Sequence, residues 1–152
     1  ELVERCVSLM RAEYARRQTD TTRPYPGIPE VLAELSLRGR LTAVLSNKPD
    51  GPTRELVEAL LAPHHFDAVL GARPGAPLKP DPTTALALAD ALGVEPVRAA
   101  FVGDTDIDMA TARAAGMTAV GVTWGFRDAD ELRAGGAHHV IDEPALLLAL
   151  LS

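Results

Sequence analysis

A chain of 152 residues with 47% apolar side chains is one domain's worth of sequence and can bury a proper core, which excludes a disordered chain. A formal charge of −6 leaves no cationic face for non-specific nucleic-acid binding, so no nucleic-acid partner is expected, and any bound anion must be held by a few placed donors or a metal. The longest apolar stretch, residues 145–151, is far too short to cross a bilayer, so no membrane partner is expected either.

Nothing at the amino end resembles a secretory signal, and the single cysteine, Cys6, cannot form an internal disulfide; a reducing cytoplasm is the expected compartment. The chain opens on Glu1 rather than methionine, and residues are expected to precede it in the natural protein. Thirteen arginines accompany only two lysines, Lys48 and Lys79, each followed by proline. Retention of lysine at position 79 points to a role that needs a compact ammonium on a flexible stem.

In chain order, Leu2 to Arg17 reads as an amphipathic helix, with Val3, Cys6, Val7, Met10 and Tyr14 on one face, where Cys6 is expected to pack into the core. Residues 18–27 are polar and proline-punctuated and read as a hinge. Then helices and apolar strands alternate. Helices are expected over 29–37, 54–61, 82–92 (capped by Asp81), 107–115 (ended by Gly116), 130–133 and 144–151. Strands are expected over 41–45, 66–70, 99–102, 118–123 and 140–141. Continuously apolar strands between helices predict an α/β fold: a Rossmann-like parallel sheet covered by helices on both faces. There is no internal repeat.

In such sheets the chemistry sits at the carboxyl ends of the strands. Ser46-Asn47-Lys48-Pro49-Asp50 follows the first expected strand, and Gly103-Asp104-Thr105-Asp106-Ile107-Asp108 follows the third. Leu78-Lys79-Pro80-Asp81-Pro82 opens a helix between them. A hydroxyl, an amide, an ammonium and clustered carboxylates form a kit for phosphoryl transfer. Ser46 and Asn47 can donate to phosphate oxygens, Lys79 can neutralise charge on the transferring group, and Asp104 is a hard oxygen ligand of the kind magnesium takes. Plainer readings stand beside these. A serine or asparagine after a strand also makes turns, Asp106 suits a helix cap, and carboxylates suit a helix amino terminus. Asp104 and Asp108 stand one helical turn apart and would repel unless a cation or donor lay between them. His64, His65, His138 and His139 lack nearby partner ligands and are read as structural.

Leu45-Ser-Asn-Lys-Pro49, Leu78-Lys-Pro-Asp-Pro82 and Phe101-Val-Gly-Asp-Thr-Asp-Ile-Asp108, continuing to Gly116, resemble motifs two, three and four of the haloacid dehalogenase superfamily. The nearest resemblance is to its phosphoglycolate phosphatase-like branch, which Arg23-Pro-Tyr-Pro-Gly-Ile28 and Val120-Gly-Val-Thr-Trp-Gly-Phe126 also resemble. The resemblance implies magnesium-dependent hydrolysis of a small phosphorylated metabolite through a phospho-aspartate. It implies that Ser46 binds the phosphoryl group with Asn47 beside it, and that Lys79 steadies the nucleophile and transition state. Asp104 would bind magnesium (Mg2+), and Asp108 would support the metal's water shell or Lys79.

One departure is large. The superfamily's first motif, an Asp-x-Asp carrying the nucleophile, has no counterpart ahead of Ser46, where Asp20 stands alone. Residues 1–22 therefore resemble the end of a helical cap with its hinge, and residues 23–152 an α/β core lacking its first strand. Alternatives within the resemblance are a sugar-phosphate mutase or a non-catalytic interaction protein on the same scaffold, since fold does not fix function. A phosphoacceptor receiver domain would need its acidic residues first and its lysine last, the reverse of the order here. The oligomeric state is open at this level.

Overall fold

The computed structural model describes residues 1–17 and 22–151. The first helix, α1 (Leu2–Arg17), has the predicted bounds. Its apolar face is another matter: Leu2, Val3, Leu9 and Met10 are exposed, and so is Cys6, which does not pack into a core. The helical period was legible, but most of the described side chains on that face are open, with Val7 half-buried. Of the expected hinge, residues 18–21 lie outside the described residues, and residues 22–27 hold neither helix nor strand.

The remaining order is α2 (Ile28–Leu37), β1 (Ala43–Pro49), α3 (Asp50–Leu61), β2 (Ala68–Ala72), α4 (Thr83–Ala91), β3 (Ala100–Gly103), α5 (Asp106–Ala114), β4 (Thr118–Val122), α6 (Ala129–Ala134), β5 (His139–Ile141) and α7 (Leu146–Leu150). A short 3-10 turn at Pro96–Arg98 leads into β3. Every expected helix and strand is present. Most bounds move by one or two residues, and the largest shifts are at the end of β1 and the start of α3. β1 runs on through Ser46, Asn47 and Lys48 to Pro49, with a register irregularity after Leu45, and α3 follows at once, starting at Asp50 rather than Arg54. Polar residues there marked the functional edge, not the end of the strand.

All strand pairs are parallel, as the apolar alternation predicts. The ladders form two pieces: β1 with β2, and β3-β4-β5. Ala43 to Leu45 lie opposite Ala68 to Leu70, and Ala100 to Gly103 opposite Thr118 to Gly121. Helices cover both faces. Along β4 the side chains alternate as a pleated strand requires. Ala119 packs with Ala85 and Ala89 of α4, Met109 and Ala112 of α5 and Leu132 of α6. Val120 and Val122 pack on the opposite face with Val31 and Leu35 of α2 and Leu147 of α7. Met109 and Leu132 are fully buried, each worth about 1.5–3 kcal/mol of apolar burial. Leu45 of β1 and Phe101 of β3 both pack against the first of these clusters, so one core ties the two ladders together although they share no hydrogen bonds.

Candidate active site

Three chain segments meet at the carboxyl edge of β1 and β3, and Lys79 joins them. Asn47, near the end of β1, bonds the backbone of Lys79 in both directions. The Lys79 amide donates to Asn47 Oδ1 and the Asn47 amide group donates to the Lys79 carbonyl, both at 2.9 Å. The Lys79 ammonium then reaches across to α5, where its Nζ lies 2.7 Å from Asp108 Oδ1. Its ammonium also sits 5.6 Å from the centre of the Phe101 ring, on β3. A cation over an aromatic face gains electrostatically from the ring quadrupole.

Asp108 is held from its other side by the start of α5. Thr105 is the N-cap: its hydroxyl donates to Asp108 Oδ2 at 2.7 Å, its backbone amide donates to the same oxygen at 3.2 Å, and the Asp108 amide donates back to Thr105 Oγ1 at 3.3 Å. This reciprocal pair is a capping box. It displaces the expectation that Asp106 caps the helix; Asp106 is the first helical residue and faces Arg127 at 3.9 Å. The sequence did carry the signal, in the Thr-x-x-Asp spacing of residues 105–108. Asp108 thus has Oδ1 on Lys79 and Oδ2 on Thr105, with both oxygens partnered inside the chain.

Asp104 stands one residue beyond β3. Its Oδ2 accepts from the Phe126 amide at 2.9 Å, and the described residues give its Oδ1 no hydrogen-bond partner. The loop after β4 approaches this carboxylate so closely that a Cβ on Gly125 would lie 2.2 Å from Asp104 Oδ2. Likewise, a Cβ on Gly103 would lie 2.3 Å from Asp108 Cβ, so backbone alone fits at both places. Gly125 and the Phe126 amide are site features that residue-type reasoning passed over. Ser46 Oγ accepts from the Lys48 amide at 3.1 Å, which leaves the hydroxyl proton available to an incoming group.

The edge is stiffened by carboxylates outside the chemistry. Asp50, first in α3, takes the Gly71 amide of β2 at 2.8 Å and the Arg54 and Arg73 guanidinium groups. Those donors, the Gly71 amide foremost and then Arg54, pull its carboxyl down to about 2. Asp81 accepts from the Thr83 amide at 2.8 Å, but the N-cap of α4 is Pro82, one residue later than expected, and it makes no side-chain cap bond; Thr83 holds the Asp81 carboxyl below the usual range. The histidines are structural where their contacts are described. His64 joins the hydroxyls of Ser36 and Thr42, and His138 takes the Ala119 amide at 2.8 Å on Nδ1.

A cleft of about 320 Å³ opens beside Asp104, between Tyr25, Val102, Trp124 and Phe126. A second, of about 310 Å³, continues from Tyr25 and Ile28 to Leu56 and Leu60 of α3. Among the described residues no cluster of three or more histidine, cysteine or carboxylate side chains could hold a metal. The site fits a hard cation of another kind. Magnesium keeps most of its water and takes one or two protein carboxylates plus substrate phosphate, and Asp104 with its open oxygen supplies such a ligand.

A parallel α/β sheet whose carboxyl edge gathers Ser46, Lys79, Asp104 and Asp108 defines a hydrolase core of the haloacid dehalogenase type. Residues 2–122 match the haloacid dehalogenase-like hydrolase family, and the chain belongs to it. Within that family it is similar to the phosphoglycolate phosphatase of Rhodospirillum rubrum, 39% identical over 136 residues that span 90% of this chain and 56% of the relative. It is also similar to that of Aquifex aeolicus, 34% identical over 81% of this chain and 58% of the relative. Its fold matches a crystal structure from Lactobacillus delbrueckii subsp. bulgaricus, a protein provisionally assigned as a phosphoglycolate phosphatase. That match has a TM-score of 0.90 and 34% identity, and covers 98% of this chain and 62% of that one. The chain thus spans little more than half the length of the curated relatives named here.

Proposed function

We propose that this chain is the phosphoryl- and magnesium-binding part of a phosphatase acting on a small phosphate monoester, with phosphoglycolate the first candidate because two relatives bear that name. The observation that carries the reading is the Asn47–Lys79–Asp108 chain of contacts. It holds a half-buried ammonium on the sheet edge where β1 carries a serine hydroxyl with an available proton and the turn after β3 a carboxylate with an open oxygen. Ser46 donates its hydroxyl proton to a non-bridging phosphate oxygen. Lys79 balances negative charge on the phosphoryl group and on the attacking carboxylate. Asp104, through its open oxygen, would hold magnesium, which when bound supplies further charge neutralisation. Positioning and charge stabilisation of this sort make up most of phosphoryl-transfer catalysis.

The attacking carboxylate is not among the site residues described. The break between the β1-β2 and β3-β4-β5 ladders suits an added strand that would pair with β1 and β3 and end in an Asp-x-Asp. The phospho-aspartate would form on that strand. On this reading residues 1–22 are the end of a cap and residues 23–152 the core that awaits the strand.

The test is hydrolysis of phosphoglycolate and p-nitrophenyl phosphate with magnesium. It compares this chain alone with a chimera carrying the part of the Rhodospirillum enzyme that the chain does not match. The chain alone should show no turnover. The chimera should turn over with magnesium, and Asp104→Asn should cut its rate by about 10²–10³, the scale of losing one preorganised charge contact. A folded chimera without turnover, or one indifferent to Asp104→Asn, would overturn the proposal.

A further inference from the structure

Asn47 is the single asparagine of the chain, and both ends of its side-chain amide are spent on one residue 32 positions away. Its Oδ1 accepts the Lys79 amide and its Nδ2 donates to the Lys79 carbonyl, each at 2.9 Å. This closes a ring of two bonds like the exchange between paired strands, made here by a side chain. The loop that it grips is otherwise short of anchors. Residues 73–78 are exposed; Arg73 ties the start of the loop to Asp50, and nearer Lys79 the other described backbone bonds stay local, Ala76 to Arg73, Asp81 to Leu78 and Thr84 to Pro77. Asn47 is thus what meets the backbone hydrogen-bonding needs of Lys79 itself.

We propose that Asn47 is a positioning residue for Lys79: its amide fixes the lysine backbone against the end of β1, and this fixes the reach of the ammonium to Asp108. A lysine stem has four rotatable bonds, so an ammonium 14% exposed beside a carboxylate 9% exposed requires a fixed starting point. Asp108 is itself immobilised by Thr105, so the clamp and the capping box hold the two ends of one ion pair. Asn47 therefore acts through Lys79, not by direct contact with phosphate. The importance of Lys79 rests on the phosphatase reading; the clamp does not.

The chain suits a direct test because Lys48 is its only other lysine. With carbon-13 lysine incorporated and Lys48→Arg used for assignment, the ε-methylene resonances of Lys79 report whether the ammonium is held. In the parent chain the two ε-protons should be inequivalent, as for an immobilised side chain, and Asp108→Asn should average them. Asn47→Ala should average them in the same way although Asp108 is intact. Asn47→Asp keeps the acceptor for the Lys79 amide but loses the donor to its carbonyl, and should give an intermediate spectrum. Averaging in Asn47→Ala supports the clamp. A native Lys79 spectrum in that variant means that Asn47 merely staples a loop, and overturns it. If Asn47→Ala fails to fold, Asn47→Asp decides on the same lines, with an unmoved spectrum counting against the clamp. Inorganic phosphate with magnesium, added to the parent chain, tests the other reading separately. A Lys79 resonance indifferent to it contradicts the phosphatase site, while the clamp is read without any ligand.

Discussion

Lys79 and Asp108 form the least exposed ion pair described in the molecule, and the environment explains why a lysine stands there in an arginine-rich chain. The ammonium fits between Asp108 Oδ1 at 2.7 Å and the face of Phe101, and on the proposed function it must also meet a phosphate. A guanidinium is planar, larger and directs its donors in a fixed fork. Lys79→Arg should therefore keep the charge yet misplace it. Binding of inorganic phosphate should weaken by about tenfold or more, equivalent to ~1.4 kcal/mol, when followed by calorimetry. Equal affinity in the variant would mean that position 79 supplies only a diffuse positive field. Residue usage singled out Lys79, and places after apolar runs singled out Asp104 and Ser46. The Asn47 clamp was not legible, because a side chain that bonds a backbone 32 positions away leaves no mark in local spacing. The exposure of Cys6 was misread for the complementary reason: helical period shows which residues share a face, never whether anything covers that face.

The elements are held in register by contacts at their ends. Asp50 is the clearest case, since one carboxylate at the start of α3 binds the end of β2 through the Gly71 amide and also gathers Arg54 and Arg73. The close fit leaves no space at Gly71, where a Cβ would lie 2.5 Å from Asp50 Cα. Because these donors lower the folded-state carboxyl from 3.8 to about 2, the charged form is favoured in the folded chain. The resulting stability is fully present above the ordinary carboxylate value and is lost as pH falls from about 4 towards 2. Asp50→Asn should unfold at lower urea than the parent at pH 6, and the gap should narrow as pH falls through that window. A gap independent of pH would remove Asp50 from the acid response. His64 acts at a higher window. Burial lowers its pKa below 6.5, so its neutral form is favoured in the fold, and the associated stability is present above 6.5 and declines as pH falls below it. Element types were legible throughout, because apolar runs and helical periods are local. The bounds of β1 were not, because its last residues are polar, and their extended conformation is fixed by β2, α3 and Lys79 rather than by their own propensity.

At the scale of the whole molecule the defining feature is the break in the sheet. β1 pairs only with β2, and β3 only with β4, so each has an unpaired ladder edge among the described residues. Unpaired strand edges invite association with another strand, and each backbone group left buried without a partner costs about 1–3 kcal/mol against a typical net stability of about 5–15 kcal/mol. The shared cluster around Leu45 and Phe101 keeps the two pieces together and so preserves the site that spans them. The order of motifs predicted such a gap only through resemblance; the ladders themselves stand as two separate pieces. On the proposed function the phosphoryl- and metal-binding half of the site is already built in these 152 residues. Calorimetric titration of inorganic phosphate, at saturating magnesium, into the chain and its Ser46→Ala and Asp104→Asn variants should then show saturable binding that each substitution weakens by about tenfold or more, with the magnesium dependence lost in Asp104→Asn. A cooperatively folded chain that binds no phosphate, or binds it equally well in all three forms, would contradict that proposal.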